Sequence, residues 1–163
     1  NSDFNQVVEN RFGLDAKWDV TIGLWFEASH ISKKEDLAFF KNQTLITLGA
    51  DYTFGVGSGL NLAVEHLVGS SDEKAFQFDY ISNTTALTAG YPLGFFDQLS
   101  LVSTFSWEQK KGSIFLNYDH QFEKFQGFIM VAYNSKTPTQ LVENDQTYAL
   151  DGPGVRLMIV YNH

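Results

Sequence analysis

Six acids, Asp19, Glu27, Asp51, Glu65, Asp79 and Asp119, fall on the polar parity of segments whose alternate residues are apolar. Two bases, Lys17 and Arg156, share that setting. Carboxylates spaced along a water-filled passage attract cations and hold back anions, as rings of acidic side chains do in channels. The two bases would supply local ion pairs or a constriction. Six acids against two bases leave four carboxylates unmatched. In a narrow, dry interior these would repel one another or take up protons, at a cost of several kcal/mol each. A wide, hydrated passage removes that cost.

Other chemistries find thinner support. His30, His66, His120 and His163 fall on different segments without ligand-like spacing, so no metal site is expected. Ser29 beside His30, with Glu27 on the same segment, offers the ingredients of a nucleophile and base, but a serine-rich β chain supplies such neighbours by chance. No catalytic residues, cofactor or enzyme activity are expected. Glu143, Asn144 and Asp145 in VENDQ could bind calcium, but a solvated loop is the favoured reading. GVGSG precedes no helix and therefore reads as a turn, not a phosphate cradle. The chain has no cysteine, which excludes disulfides and thiol chemistry.

The elements that must position these residues are strands. In KWDVTIGLWFEASH, Ala16, Trp18, Val20, Ile22, Leu24, Phe26 and Ala28 take one parity, and Lys17, Asp19, Thr21, Gly23, Glu27 and Ser29 the other, with Trp25 as the exception. That is a two-faced strand, expected over about Asp15 to His30 after a polar lead-in at 1–12. The same alternation recurs in TLITLGADYTF, LNLAVEHLV, LSLVSTFSW, SIFLNYDHQF and GVRLMIVYNH. FIMVAYN is apolar on both faces. AFQFDYISNTTALTAGY switches parity, which a bulge near Ser82 to Thr84 would reconcile. About eight strands result, and the best helical run, Lys34 to Lys41, is short.

The connections alternate in character. SKKED, SSDEK, EQKK and TPTQLVENDQ are charged or long, whereas GVGSG, YPLGFFDQ and EKFQG are tighter. In an up-and-down arrangement each set lies at one end, which places both termini at the tight end. Lys33, Lys34, Lys110 and Lys111 then form a basic fringe at the other.

Composition bears on where the oily face points. Charged residues make up 18%, below the roughly 25% of soluble proteins, and aromatics 15%, with a net charge of −8 that argues against a nucleic-acid partner. No apolar run approaches the ~20 residues of a spanning helix, but a spanning strand needs only about 9–11. Of eleven Lys and Arg, only Lys17 and Arg156 lie inside the expected strands. Aromatics gather toward strand ends at Trp18, Phe26, Tyr52, Phe54, Trp107 and Tyr161, as amphipathic rings do at bilayer interfaces.

On this pattern, over residues 13 to 163, the chain resembles the porin-like β-barrels of Gram-negative outer membranes. That class typically ends in an amphipathic strand with a terminal aromatic. Val155, Leu157, Ile159 and Tyr161 keep the alternation, while His163 stands in place of the usual Phe. The resemblance implies an all-β fold, an antiparallel up-and-down transmembrane β-barrel in one domain over 1–163, in contact with outer-membrane lipid. The expected function is passive diffusion of small solutes or ions with a cation preference, through a lumen lined by Lys17, Asp19, Glu27, Asp51, Glu65, Asp119 and Arg156. The charge inventory suggests the C-terminal part of a larger barrel, or one completed by other chains. The start at Asn1 fits a mature form or a piece of a longer chain. The alternatives are a small closed barrel with partner-binding loops, and a soluble ligand-binding barrel whose apolar face is its core.

Overall fold

The computed structural model describes residues 7–35, 41–135 and 151–161. They form nine strands: β1 (Glu9–Asp19), β2 (Gly23–Lys33), β3 (Asn42–Phe54), β4 (Leu60–Asp72), β5 (Ile81–Pro92), β6 (Asp97–Ser106), β7 (Lys111–Gln121), β8 (Phe125–Asn134) and β9 (Gly152–Tyr161). All belong to one antiparallel sheet in which strand order follows chain order. The contacts divide the chain into two compact units, Asn1–Ala50 with Glu65–Thr84, and Asp51–Val64 with Thr85–His163.

The all-β, up-and-down organisation agrees with the alternating pattern, but the count of eight does not. The expected strand from Asp15 to His30 is a hairpin: β1 and β2 pair around residues 20–22, with Ala16 opposite Phe26 and Trp18 opposite Leu24. Partners in this register share parity, so the alternation of Trp18, Val20, Ile22 and Leu24 passes through the turn unbroken. Parity therefore cannot reveal this turn. Residues 9–12, taken as lead-in, belong to β1, where Phe12 lies opposite His30. The parity switch in AFQFDYISNTTALTAGY needs no bulge, because β5 begins only at Ile81. Phe76 and Phe78, in the connection before it, both have φ of 59°.

The extra strand also moves the chain's entry. Glu9 pairs with Lys33 at the end that leads into 34–41, whereas Tyr161 pairs with Phe125 beside the short 122–124 turn. The two described ends of the chain thus lie at opposite ends of their strands. Connections 20–22, 55–59, 93–96 and 122–124 share the tight-turn end, and 34–41, 73–80, 107–110 and 135–151 the other. Arg11, Lys33 and Lys111 join Lys17 and Arg156 inside strands, with Lys33 and Lys111 as terminal residues. Residues 36–40 of the expected helical run lie outside the described residues. β1 and β9 each have one neighbour in the strand order, so they are edges, and the expected closure is not met among the described residues.

Registers from β6 to β9 build one continuous apolar face. Leu101 lies opposite Leu116, Leu116 opposite Val131, and Val131 opposite Val155. Leu99, Tyr118, Ile129 and Leu157 form the adjacent row. The opposite face is mixed: Ser100 and Asn117 sit beside Val102 and Phe115, and Met130 beside Arg156.

No apolar side chain is buried among the described residues, and the buried polar ones are His30, Asn42, Thr44, Ser70 and Asp72. Large apolar groups are exposed instead, with Val155, Leu157 and Ile159 at 73%, 73% and 76%. Fully burying one such side chain is worth about 1.5–3 kcal/mol. Leaving about ten exposed forgoes more than the ~5–15 kcal/mol net stability of a typical domain.

Trp25, the exception to parity in β2, has a local answer. Its indole occupies the place where a Cβ on Gly49 of β3 would stand. Gly49→Leu should expel the ring and cost about 1–3 kcal/mol by overpacking. Chemical denaturation, with a shift in tryptophan emission, checks this.

Candidate functional site

In the first unit, Lys17 and Asp19 project from the same side of β1, with Nζ and Oδ1 3.5 Å apart and both side chains exposed. Asp15 lies opposite Glu27. Glu65 falls within β4, and Asp51 within the part of β3 that belongs to the second unit. In that unit Asp119 accepts hydrogen bonds from Gln126 Nε2 at 3.2 Å and Asn117 Nδ2 at 3.4 Å. Asn117 Oδ1 is buried without a hydrogen-bond partner in the structure. Arg156 lies opposite Met130 and makes no ion pair among the described residues. It lines a cavity of about 280 Å³ with Phe115, Met130 and Asn134. Asp79, expected on a strand, belongs to the 73–80 connection.

The aromatic positions divide by end. Trp18 is the penultimate residue of β1 at the tight-turn end. Tyr52 and Phe54 finish β3 at that end, edge to face at 4.7 Å. Tyr161 ends β9 there too. Trp107 follows β6 at the opposite end, where it meets Phe105 edge-on at 5.1 Å and donates Nε1–H to Thr85 Oγ1 at 2.9 Å. Phe26 departs from the expectation, because the hairpin places it inside β2 opposite Ala16. Phe95, Phe96, Phe122 and Phe125 also lie at the tight-turn end: Phe95 and Phe96 in the 93–96 turn, Phe125 as the first residue of β8, and Phe122, which alternation puts on the apolar parity of SIFLNYDHQF, just past the end of β7.

Two polar clusters that the sequence did not assemble, although His120 reads there as an interfacial histidine on the apolar parity, lie near strand ends. At the long-connection end of the first unit, His30 Nδ1 lies 2.9 Å from Thr44 Oγ1, and Phe76 stacks on the imidazole at 4.4 Å. Asn42 Nδ2 donates to the Glu73 carbonyl at 2.7 Å. Asp72 gathers the 73–80 connection: the Ser70 hydroxyl donates to it, as do the N–H groups of Phe78 at 3.0 Å, Asp79 at 3.0 Å and Tyr80 at 3.2 Å. Asp72 lies beyond Leu67 and Val68, the last apolar residues of β4. The Ser70 hydroxyl, with these backbone N–H groups, holds its carboxyl below the ordinary value of 3.8, although burial opposes the shift.

At the tight-turn end of the second unit, Asp97 Oδ1 accepts from Tyr118 Oη at 2.5 Å and lies 2.6 Å from His120 Nδ1. A carboxylate only accepts, so Nδ1 carries the proton and Nε2 is left to face other groups. Phe122 meets His120 edge-on at 4.3 Å and stacks on Phe125 at 4.3 Å. An apolar groove of about 510 Å³ adjoins this cluster, lined by His120, Phe122, Phe125, Ile129, Leu157 and Ile159.

Other sequence candidates are not assembled. Strand alternation places Ser29 and Glu27 on the face opposite His30, so the nucleophile-and-base grouping does not form. No group of three His, Cys, Asp or Glu that could hold a metal occurs among the described residues. Glu143, Asn144, Asp145 and His163 lie outside them. No protein-family model, curated protein or solved structure matches the chain.

The Asp72 cluster has a signed pH dependence. A carboxyl held below its unfolded value stabilises the folded connection above that value and loses its effect as pH falls through the lowered folded one. The protection factors of the Phe78, Asp79 and Tyr80 amides, exchange being corrected for its intrinsic pH dependence, should hold at mildly acidic pH and fall only on acidification below about 3.8. Asp72→Asn should speed exchange at these amides at neutral pH without altering the β6 to β9 ladder. Exchange measured by mass spectrometry checks both outcomes.

Proposed function

We propose that this chain is part of a porin-like β-barrel of a bacterial outer membrane, passing small solutes or ions by diffusion with a cation preference. The observation that carries this reading is the absence of any buried apolar side chain among the described residues, beside a continuous apolar face across β6 to β9. A soluble sandwich or ligand-binding barrel would bury such residues in its own core. Lipid is the solvent in which that face costs nothing. Tight turns at one end and longer connections at the other suit the same class.

On this reading the passage runs along the opposite face. Lys17, Asp19, Glu27, Asp51, Glu65, Asp119 and Arg156 line it, and the carboxylate excess sets the preference for cations. Lys17 and Asp19 offset each other, so the bias rests on Glu27, Asp51, Glu65 and Asp119. No cofactor is needed. Trp18, Tyr52, Phe54, Trp107 and Tyr161 mark the headgroup levels, and further strands or other chains pair with the free edges of β1 and β9.

Reconstituted protein should conduct in planar bilayers with cations favoured over anions. Asp51→Asn combined with Asp119→Asn should move the reversal potential in a salt gradient toward zero. In the middle of β7, Leu116→Arg on the apolar face should destabilise by about 2–4 kcal/mol, while Ser100→Lys on the opposite face should fold normally. Protein that stays dispersed without detergent and shows no conductance would overturn the reading.

A further inference from the structure

We infer that the groove beside Asp97 and His120 is a binding site for a phospholipid whose headgroup carries a primary amine; this inference rests on the membrane reading above. The groove lies on the apolar face. Tyr118, Ile129 and Leu157 stand in one row across β7, β8 and β9, followed by His120, Gly127 and Ile159 in the next. Its volume of about 510 Å³ falls in the ~300–1,000 Å³ range of small-molecule sites.

Gly127 makes the depression. It stands opposite His120, and a Cβ there would approach Phe122 Cε2 to 3.4 Å. With no side chain at 127, the Phe122 and Phe125 pair forms one wall and Leu157 with Ile159 forms the other. Such a trough, continuous with an apolar face, fits an acyl chain.

The group that selects the head is Asp97, which does not line the groove itself but is bonded to Tyr118 and His120, which do. Asp97 is a carboxylate on the parity of Leu99 and Leu101, at the first residue of β6. Both side-chain donors, from Tyr118 and His120, fall on Oδ1. Oδ2 accepts no side-chain hydrogen bond among the described residues, and His120 Nε2 likewise has no partner there. The 122–124 turn adds Glu123 and Lys124, which cancel in charge. The cluster therefore presents a carboxylate oxygen to a cation with N–H donors. A primary ammonium gives a charge-assisted hydrogen bond to it. A trimethylammonium head has no such donor, and an anionic glycerol head lacks the complementary charge.

The test uses the refolded chain in phosphatidylglycerol vesicles that carry a small fraction of phosphatidylethanolamine with a photoactivatable acyl chain. Adducts are mapped by mass spectrometry. They should concentrate at residues 122–129 and 157–159 over the exposed apolar positions of β1, and unlabelled phosphatidylethanolamine should compete at these positions about tenfold better than phosphatidylcholine. Asp97→Asn should abolish that preference while leaving vesicle binding intact, and Gly127→Leu should remove the groove adducts. Gly127→Ala, which brings the new methyl only into contact with Phe122, should retain them. Adducts spread evenly over the apolar face, or equal competition by the two lipids, would overturn the site while the membrane reading stands. Failure of the protein to float with vesicles would overturn both.

Discussion

In this chain the hydrogen-bonded ladder between neighbouring strands does what a packed core does in most domains. No apolar side chain is buried among the described residues, so side-chain burial within the chain does not hold β6 to β9 in place. The registers do. A slip of one residue between β7 and β8 would send Leu116 to the face that now holds Asn117, and would carry every neighbour with it. On the proposed membrane reading the ladder would be stronger as well as necessary, since an unpaired N–H or C=O in hydrocarbon costs several kcal/mol.

The alternation of apolar and polar residues made most of this sheet legible. Strands β3, β4, β6, β7 and β9 follow the two-residue period, and in β6, β7 and β9 the sense of each face survives in the registers. Strand boundaries were harder to see for two physical reasons. The β1–β2 register pairs residues of equal parity, so the period continues through residues 20–22 as though no turn were there. Length was the available signal, because a strand from Asp15 to His30 exceeds the ~3–10 residues usual for strands. In AFQFDYISNTTALTAGY the apparent strand before Ile81 is a connection folded around Asp72, and Phe76 and Phe78 take positive φ there. Nothing in a two-residue period reports a left-handed backbone.

The candidate site was legible as parity and no further. Lys17, Asp19, Glu27 and Asp119 were found because they break an apolar pattern in a regular way. Asp97 and Asp72 escaped because they lie in YPLGFFDQ and SSDEK, which read as connections beyond the alternating runs, whereas β6 starts at Asp97 and β4 runs to Asp72. Both occupy strand ends, where an apolar surface meets water and polar groups can be satisfied locally. In one case the partners are backbone N–H groups of the adjoining connection. In the other they are the phenol of Tyr118 and the imidazole of His120. The Trp25 and Gly49 pairing shows a third kind of blind spot, in which an exception on one strand is answered by a missing side chain on the next.

The strand count carries a topological consequence. Among the described residues the nine strands alternate in direction along the sheet, so β1 and β9 run the same way in the strand order. Zipping those two together would create a parallel seam, with slanted and slightly weaker hydrogen bonds. An all-antiparallel ring instead demands an odd number of additional strands between them. A second copy inserted in the same sense brings nine more, and each junction of β9 with β1 is again parallel. Doubling in that sense leaves the mismatch in place, whereas a further segment of one, three or another odd number of strands would resolve it in any closed, all-antiparallel ring.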